Sequence, residues 1–211
     1  MRTVKIEVFF DFVCPWCLIG KRHLDAAIRK LADLRQAVHV NVVWRSHTLL
    51  PDTPEGGLPY QAFYVARLGS SEAVTRRRAQ VQQAGNAAGV RFAFDRIQVL
   101  PNTAKAHALI ARTDEPQQAK LVDRIFTAYF LEGEDIGDWS VLERLAGECG
   151  QQRGTSGRPG GDGLSARTEC PVPTRYPIQG VPSFVVDESL AFSGAMPSDM
   201  MLDVILRALD A

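Results

Sequence analysis

The sequence predicts an α/β fold in three parts: a strand–helix–strand unit first, a hairpin followed by a helix last, and an all-helical stretch between them. Three observations carry this. Val4, Ile6, Val8 and Phe10 alternate with Thr3, Lys5, Glu7 and Phe9, the period of a strand. Leu24, Ala27, Ile28 and Leu31 then recur at i, i+3, i+4 and i+7, the apolar stripe of a helix. From Tyr60 to about Gly150 the helical period dominates, whereas Phe184 to Phe192 reverts to strand composition.

In chain order, the first strand covers about 3–11 and the first helix about 15–33. Val38, Val40, Val42 and Trp44 alternate with His39, Asn41, Val43 and Arg45, which makes a second strand. A strand–helix–strand of this length is a right-handed unit with parallel strands. Leu50 to Gly57 is loop by composition. Helices are expected at Pro59–Leu68, Ser71–Ala88, Thr103–Arg112 and Gln117–Leu131, with Phe92–Pro101 irregular. Leu121, Val122, Ile125, Phe126 and Tyr129 make one apolar stripe. Ser140-Val141-Leu142-Glu143 has capping-box spacing, so a helix is expected to begin at Ser140 and run to about Cys149. Asp187-Glu188-Ser189 links two short strands as a hairpin turn. In the last helix Pro197 stands in the first turn, and Met201, Val204, Ile205 and Ala208 supply the buried face.

Residues 151–175 stand apart, with five glycines, three prolines and four arginines and only Leu164 and Val172 as large aliphatics. Such a stretch can bury little against the entropy of ordering it. It is expected to be poorly packed, either as a native loop or as a locally frameshifted piece of the gene. The chain is therefore divided into residues 1–50 with 177–211, an insertion at 51–150, and the irregular segment 151–176.

At 211 residues the chain can bury one sizeable core. Its 24 basic and 24 acidic residues balance, which argues against a general attraction to nucleic acid or anionic membrane. No stretch approaches the ~20 apolar residues of a membrane span. Lys5, Glu7 and Asp11 interrupt any apolar signal-peptide core, so a cytoplasmic location is expected.

The chemistry concentrates in Cys14-Pro15-Trp16-Cys17. Two cysteines two residues apart open a helix directly after a strand, a context that favours a thiol–disulfide centre over half of a zinc site. No second such pair and no His-x-x-x-His follows, so no metal is expected. The amides and dipole of a helix N-terminus favour a thiolate. Cys14, the outer residue, is the expected nucleophile, and Cys17, one turn in, the resolving thiol. Pro15 suits the first turn, and Trp16 offers either simple packing or an aromatic surface beside the sulfur. Asp11, three residues before Cys14, either caps the following loop or, if buried, modulates the thiols. His107, on a helix of the insertion, is a further modulator or an ordinary packed histidine. Arg45 and His47 are weaker candidates. Cys149 and Cys170 fit no common metal spacing and are read as one packed and one loop thiol.

Phe10-Asp11-Phe12-Val13-Cys14-Pro15-Trp16-Cys17-Leu18-Ile19-Gly20-Lys21 resembles the start of the DsbA-like thioredoxin superfamily, within it the FrnE-like branch of cytoplasmic dithiol oxidoreductases. Phe94 to Thr103 with Ala106-His107, and Ala128 to Ile136, are similar to that branch's helical domain. Ile178 to Val186 is similar to the stretch that carries the cis-proline of thioredoxin folds. The resemblance implies a thioredoxin fold whose helical insertion lies between the second and third strands. It also implies a cis Val181–Pro182 bond beside the cysteines, with the Val181 backbone and Pro182 binding substrate. Because Trp16 brings no positive charge where a histidine would, a centre less oxidising than periplasmic DsbA is expected.

The function expected is thiol–disulfide exchange with protein substrates, so the partners are protein thiols and disulfides. No bound cofactor is expected; glutathione or another dithiol would serve as reductant. Two other readings stay open. Kappa-class glutathione transferases and 2-hydroxychromene-2-carboxylate isomerases share the fold but typically carry serine where Cys14 stands. A non-catalytic holdase whose thiols only sense oxidant is the third.

Overall fold

A computed structural model describes residues 2–151 and 178–210 of the chain. The irregular segment foreseen at 151–176, apart from Gln151, and Cys170 within it, lie outside the described residues. Two compact units emerge, one from residues 1–47 and 171–211 and the other from 48–170.

The first unit holds β1 (Arg2–Phe10), α1 (Pro15–Leu34), β2 (Val38–Ser46), β5 (Ser183–Val186), β6 (Leu190–Ser193) and α7 (Ser198–Asp210). Its sheet runs in the order β2-β1-β5-β6. β1 pairs parallel with β2 and antiparallel with β5, and β5 pairs antiparallel with β6. This is the βαβ…ββα arrangement of a thioredoxin fold. Val4, Ile6, Val8 and Phe10 are buried, but so are Glu7 and Phe9 on the opposite face, because β1 is an inner strand. Glu7 tolerates that position because Arg45 on β2 donates to its Oε1 from Nε at 2.9 Å and from Nη2 at 2.6 Å. The stripe read for α1 faces the core: Leu24, Ala27 and Leu31 are buried and Ile28, at its edge, is half-buried. At the other end of this unit the buried face of α7 is Met201, Leu202, Ile205, Ala208 and Leu209. Val204, expected on that face, is only half-buried, since the stripe turns toward Leu202 and Leu209. Arg2 donates to the carbonyls of Ala208 and Leu209, so the first residue of β1 satisfies two open acceptors at the end of α7.

The second unit contains β3 (Leu58–Pro59), α2 (Tyr60–Leu68), α3 (Ser71–Ala87), β4 (Val99–Leu100), α4 (Ala104–Ala111), α5 (Glu115–Thr127) and α6 (Trp139–Glu148). α2 stops at Gly69, whose φ of 90° is the left-handed form glycine adopts freely, and Ser70 caps α3 by accepting from the Ala73 N–H. The β3–β4 pair was not foreseen, because two-residue strands are too short to show a period. α5 starts two residues before the expected Gln117 and passes at Ala128 into a wider π-helical turn that ends at Gly133. Leu121, Val122, Ile125, Phe126 and Tyr129 are all fully buried, as their spacing implied. α6 does not begin at Ser140. Asp138 is its cap, accepting from both the backbone N–H and the hydroxyl of Ser140, and the helix begins at Trp139. An Asp two residues upstream thus takes the Ser140 groups that the capping-box reading would have used. Arg124 and Arg144 join Glu132, Glu134 and Glu148 in one ion-pair network across α5, the wide turn and α6. Cys149 closes α6 as a buried thiol.

The β5–β6 turn yields a prediction. Both central residues have positive φ, 46° at Asp187 and 55° at Glu188, where hairpins usually place Asn or Gly. Asp187 is held there by accepting the Lys5 N–H at 2.7 Å. Glu188 reaches the Lys5 ammonium at 3.5 Å, a surface contact worth little. Glu188→Gly should raise stability by about 0.5–1 kcal/mol, the left-handed penalty relieved less the glycine's extra chain entropy. Urea unfolding checks it, and a lower midpoint would contradict the assigned strain.

Candidate functional site

β1 ends at Phe10, and the four residues that follow carry the chain into α1. The Cys14 N–H donates to the Asp11 carbonyl at 3.1 Å, closing a tight turn. Cys14 is the N-cap of α1 with extended backbone angles, φ −91° and ψ 108°, and Pro15 fills the first helical position. The Cys17 N–H donates to the Cys14 carbonyl at 3.0 Å. Both cysteines are free thiols and both are buried, 6% exposed at Cys14 and 3% at Cys17. Pro15 and Trp16 between them are half-buried.

The second side of the site comes from the approach to β5. The Val181–Pro182 peptide is cis. The Val181 carbonyl faces Cys14, whose Sγ donates to it at 3.7 Å. The loop is braced from both ends. Ser183 Oγ donates to the Gly180 carbonyl at 2.6 Å, and the Gly194 N–H donates to the Pro182 carbonyl at 2.8 Å. Ile178 to Phe184 and Ala191 to Gly194 enclose a groove of about 400 Å3, and none of these lining residues is ionisable. Phe184 and Phe192, paired across β5 and β6, stack at 4.9 Å and form part of its wall.

Two expected residues differ in their placement. Asp11 is fully buried in the first unit and is close enough to Cys17 to act on its ionisation. His107 is buried in α4 of the second unit. Arg45 is committed to Glu7. The Cys17 thiol is pushed well above its ordinary value, first by burial, then by its hydrogen bond to Cys14 and the charge there, with the Asp11 carboxyl adding to the rise. The Asp11 backbone N–H works the other way by hydrogen-bonding the sulfur.

Gly20 was missed as a site residue. A Cβ there would stand 3.0 Å from Pro182 Cγ and 3.2 Å from Phe184 Cζ, so its absence lets α1 lie directly against the cis-proline loop. The signal was present: a glycine inside a helix costs roughly 1 kcal/mol relative to alanine and usually marks a close approach. Lys21, buried and paired with Asp25 at 2.7 Å, was also passed over.

Comparison with known proteins bears on this arrangement. The DSBA-like thioredoxin domain family matches residues 5–206. The crystal structure of a probable DsbA oxidoreductase from Streptomyces coelicolor is similar with a TM-score of 0.82 and 23% identity, covering 98% of this chain and 90% of that one. A 2-hydroxychromene-2-carboxylate isomerase is similar with a TM-score of 0.65 and 14% identity, over 97% and 96% of the two chains. The cytosolic disulfide reductase DsbM of Pseudomonas aeruginosa, in a structure with glutathione, is similar with a TM-score of 0.61 and 20% identity, over 96% and 99%. At these identities the structural likenesses speak to the fold.

Two outcomes follow from the geometry. Folding holds the Cys17 proton more tightly than the unfolded chain does, so this contribution to stability is complete below the unfolded thiol value of about 8.5 and is lost as pH rises from there toward the folded value. The reduced protein should therefore lose stability in alkali more steeply than Cys17→Ala; parallel urea midpoints for the two proteins across that range would refute it. Gly20→Val should drive Pro182 and Phe184 away from α1, costing ~1–3 kcal/mol and most of the thiol reactivity, with Gly20→Ala milder on both. Unfolding curves read beside alkylation of Cys14 decide it, and an unperturbed Gly20→Val protein would show that the close approach is not required.

Proposed function

The chain belongs to the DSBA-like thioredoxin domain family, and from that premise we propose that it is a thiol–disulfide oxidoreductase acting on protein substrates through Cys14 and Cys17. The observation that carries the reading is the free dithiol at the start of α1, with Cys14 against the Val181 carbonyl at the cis-proline loop. A serine-based transferase or isomerase would need neither thiol.

In the reducing direction the Cys14 thiolate attacks one sulfur of a substrate disulfide. A Cys14–substrate bond forms, the substrate S–S bond breaks, and the departing sulfur takes a proton. The Cys17 thiolate then attacks Cys14 Sγ. The second substrate thiol leaves, Cys14–Cys17 is oxidised, and two electrons have passed to the substrate. Cys17 holds its proton tightly, so the second step needs a base. Asp11 is the proposed acceptor, because its carboxyl is buried beside that thiol. Glutathione or another dithiol is the proposed reductant that restores the pair; the DsbM structure with glutathione supports this choice.

The backbone at Val181 and the groove beside Pro182 are the proposed seat for an extended segment of the partner. The described lining residues are uncharged and ask for no particular charge on that segment. The cytoplasm is the proposed compartment, since a dithiol that cycles through a reduced state suits a reducing environment. Membership of the FrnE-like branch is part of the same proposal.

Cys14→Ser should abolish dithiol-dependent reduction of insulin, and Cys17→Ser should accumulate mixed disulfides with partner proteins or glutathione. If Cys17 is the thiol first alkylated in the native protein, the two roles are wrongly assigned. Equilibration with glutathione buffers should give a midpoint more negative than the roughly −120 mV of DsbA, because Trp16 adds no positive charge beside the sulfur. Robust isomerisation of an aromatic substrate by a Cys14→Ser protein would favour the small-molecule reading instead.

A further inference from the structure

The second unit carries a feature that thiol exchange does not use. α3 buries one face through Val74, Val81 and Gly85, and Arg78 stands on that same face, four residues after Val74 and three before Val81. Arg78 is half-buried there, and a partly desolvated cation is commonly answered by a carboxylate. Arg124 and Arg144 of this unit each have more than one. Arg78 is in none of the ion pairs among the described residues.

The Arg78 guanidinium is held in a defined place. Its Cζ lies 5.1 Å from the centre of the Tyr60 ring and 5.9 Å from that of Phe94, and Nη2 donates to Gln61 Oε1 at 2.8 Å. Both rings and Gln61 are neutral partners, and burial holds the Tyr60 phenol in its protonated form by pushing its ionisation up. The guanidinium charge is therefore uncompensated by any of the groups that fix it. It sits in the wall of a cleft of about 780 Å3, within the usual size of a small-molecule site. Val65 and Ile97 with the two aromatic rings make much of the remaining wall apolar. The surrounding sequence is also charge-biased. Residues 60–100 hold six arginines against Glu72 and Asp95, in a chain whose charges cancel overall.

We propose that this cleft binds a small organic monocarboxylate, its carboxylate on the Arg78 fork and its apolar body against Tyr60, Val65, Phe94 and Ile97. A planar carboxylate matches the guanidinium geometry through paired N–H···O bonds, and fixation by two rings lowers the entropy lost on binding. The exposed carboxylate of Asp95 also lines the cleft, which disfavours a second negative charge and so selects against phosphate or a dicarboxylate. This site is independent of the Cys14/Cys17 chemistry.

The test is titration of the isotopically labelled, full-length protein with 4-phenylbutanoate, its neutral amide and inorganic phosphate. Readouts are the Arg78 Nε–H signal and the Tyr60 and Phe94 ring signals. Saturable shifts at all three residues are expected with the acid. The amide should bind roughly tenfold more weakly, the size of a lost charge-assisted hydrogen bond. Phosphate should not saturate. Arg78→Gln should weaken the acid about tenfold and leave the amide unchanged, whereas a residue needed only to hold α2 and α3 together would weaken both alike. Ala62→Trp, at an exposed position in the lining, keeps Arg78 and its ring contacts and should block both ligands. Equal affinity for acid and amide, unchanged acid binding in both variants, or no saturable shift with any probe would overturn the proposal. Insulin reduction by Arg78→Gln should match the unsubstituted protein, which keeps the outcome separate from that of the thiol-exchange reading.

Discussion

The pairing of β1 with a strand on each side is the constraint from which the site follows. β1 lies between β2 and β5, with Phe9 opposite Ser183 and Val8 opposite Phe184. That register fixes where β1 stops and where the Val181–Pro182 loop enters β5. One tight turn after Phe10 brings Cys14 to the head of α1, and the same register brings Val181 opposite it. A slip of one residue in this ladder would turn every side chain of β1 to the other face, taking Val4, Ile6 and Val8 out of their places in the core and putting Lys5 and Glu7 there. The cysteine motif and the cis-proline loop are far apart in sequence, and this ladder joins them. Gly20 completes the contact from the helix side by omitting the one carbon that would keep α1 off Pro182.

Burial sets the chemistry of the pair. Both thiols are almost wholly buried, so groups inside the site set their ionisation. The Asp11 carboxyl and the Asp11 backbone N–H pull the Cys17 ionisation in opposite directions, and desolvation outweighs both. In the proposed exchange, a thiol held in its protonated form resolves a mixed disulfide with the help of a base beside it. A solvent-exposed Asp11 carboxyl would be screened from the thiol by water. Its complete burial makes the two groups act on one another.

The helical unit solves a different problem with different means. An aromatic cluster borders its core: the half-buried Phe92 and Phe94 stack at 4.9 Å, and Phe92 meets the buried Phe130 edge-on at 5.3 Å. Gly85 admits that cluster, since a Cβ would stand 2.6 Å from Phe92. Charge is handled unevenly around it. Carboxylates answer the arginines of α5 and α6 in a shared network, whereas aromatic faces and an amide answer Arg78 on α3. The first arrangement satisfies its cations internally and ties elements together. The second leaves a charge directed into a cleft.

Periodicity alone determined the βαβ and ββα ends, the helical middle and the placement of Cys14 and Cys17 at a strand-to-helix junction, because each depends on local spacing of apolar and turn residues. The buried stripe of α5 was legible for the same reason. Local spacing could not reveal the two-residue β3–β4 pair, which has no period. Nor could it choose between Asp138 and Ser140 as the α6 cap, since either residue can accept an amide proton and only the folded backbone decides which is in reach. Asp11 as cap or buried acid was undecidable from neighbours in sequence; burial is a property of what packs over a residue. Gly20 against Pro182, the Val181 carbonyl against Cys14, and Arg78 between two rings are contacts across 16 to 167 residues of chain, and only the tertiary structure, by fixing strand register and helix approach, brings those atoms together.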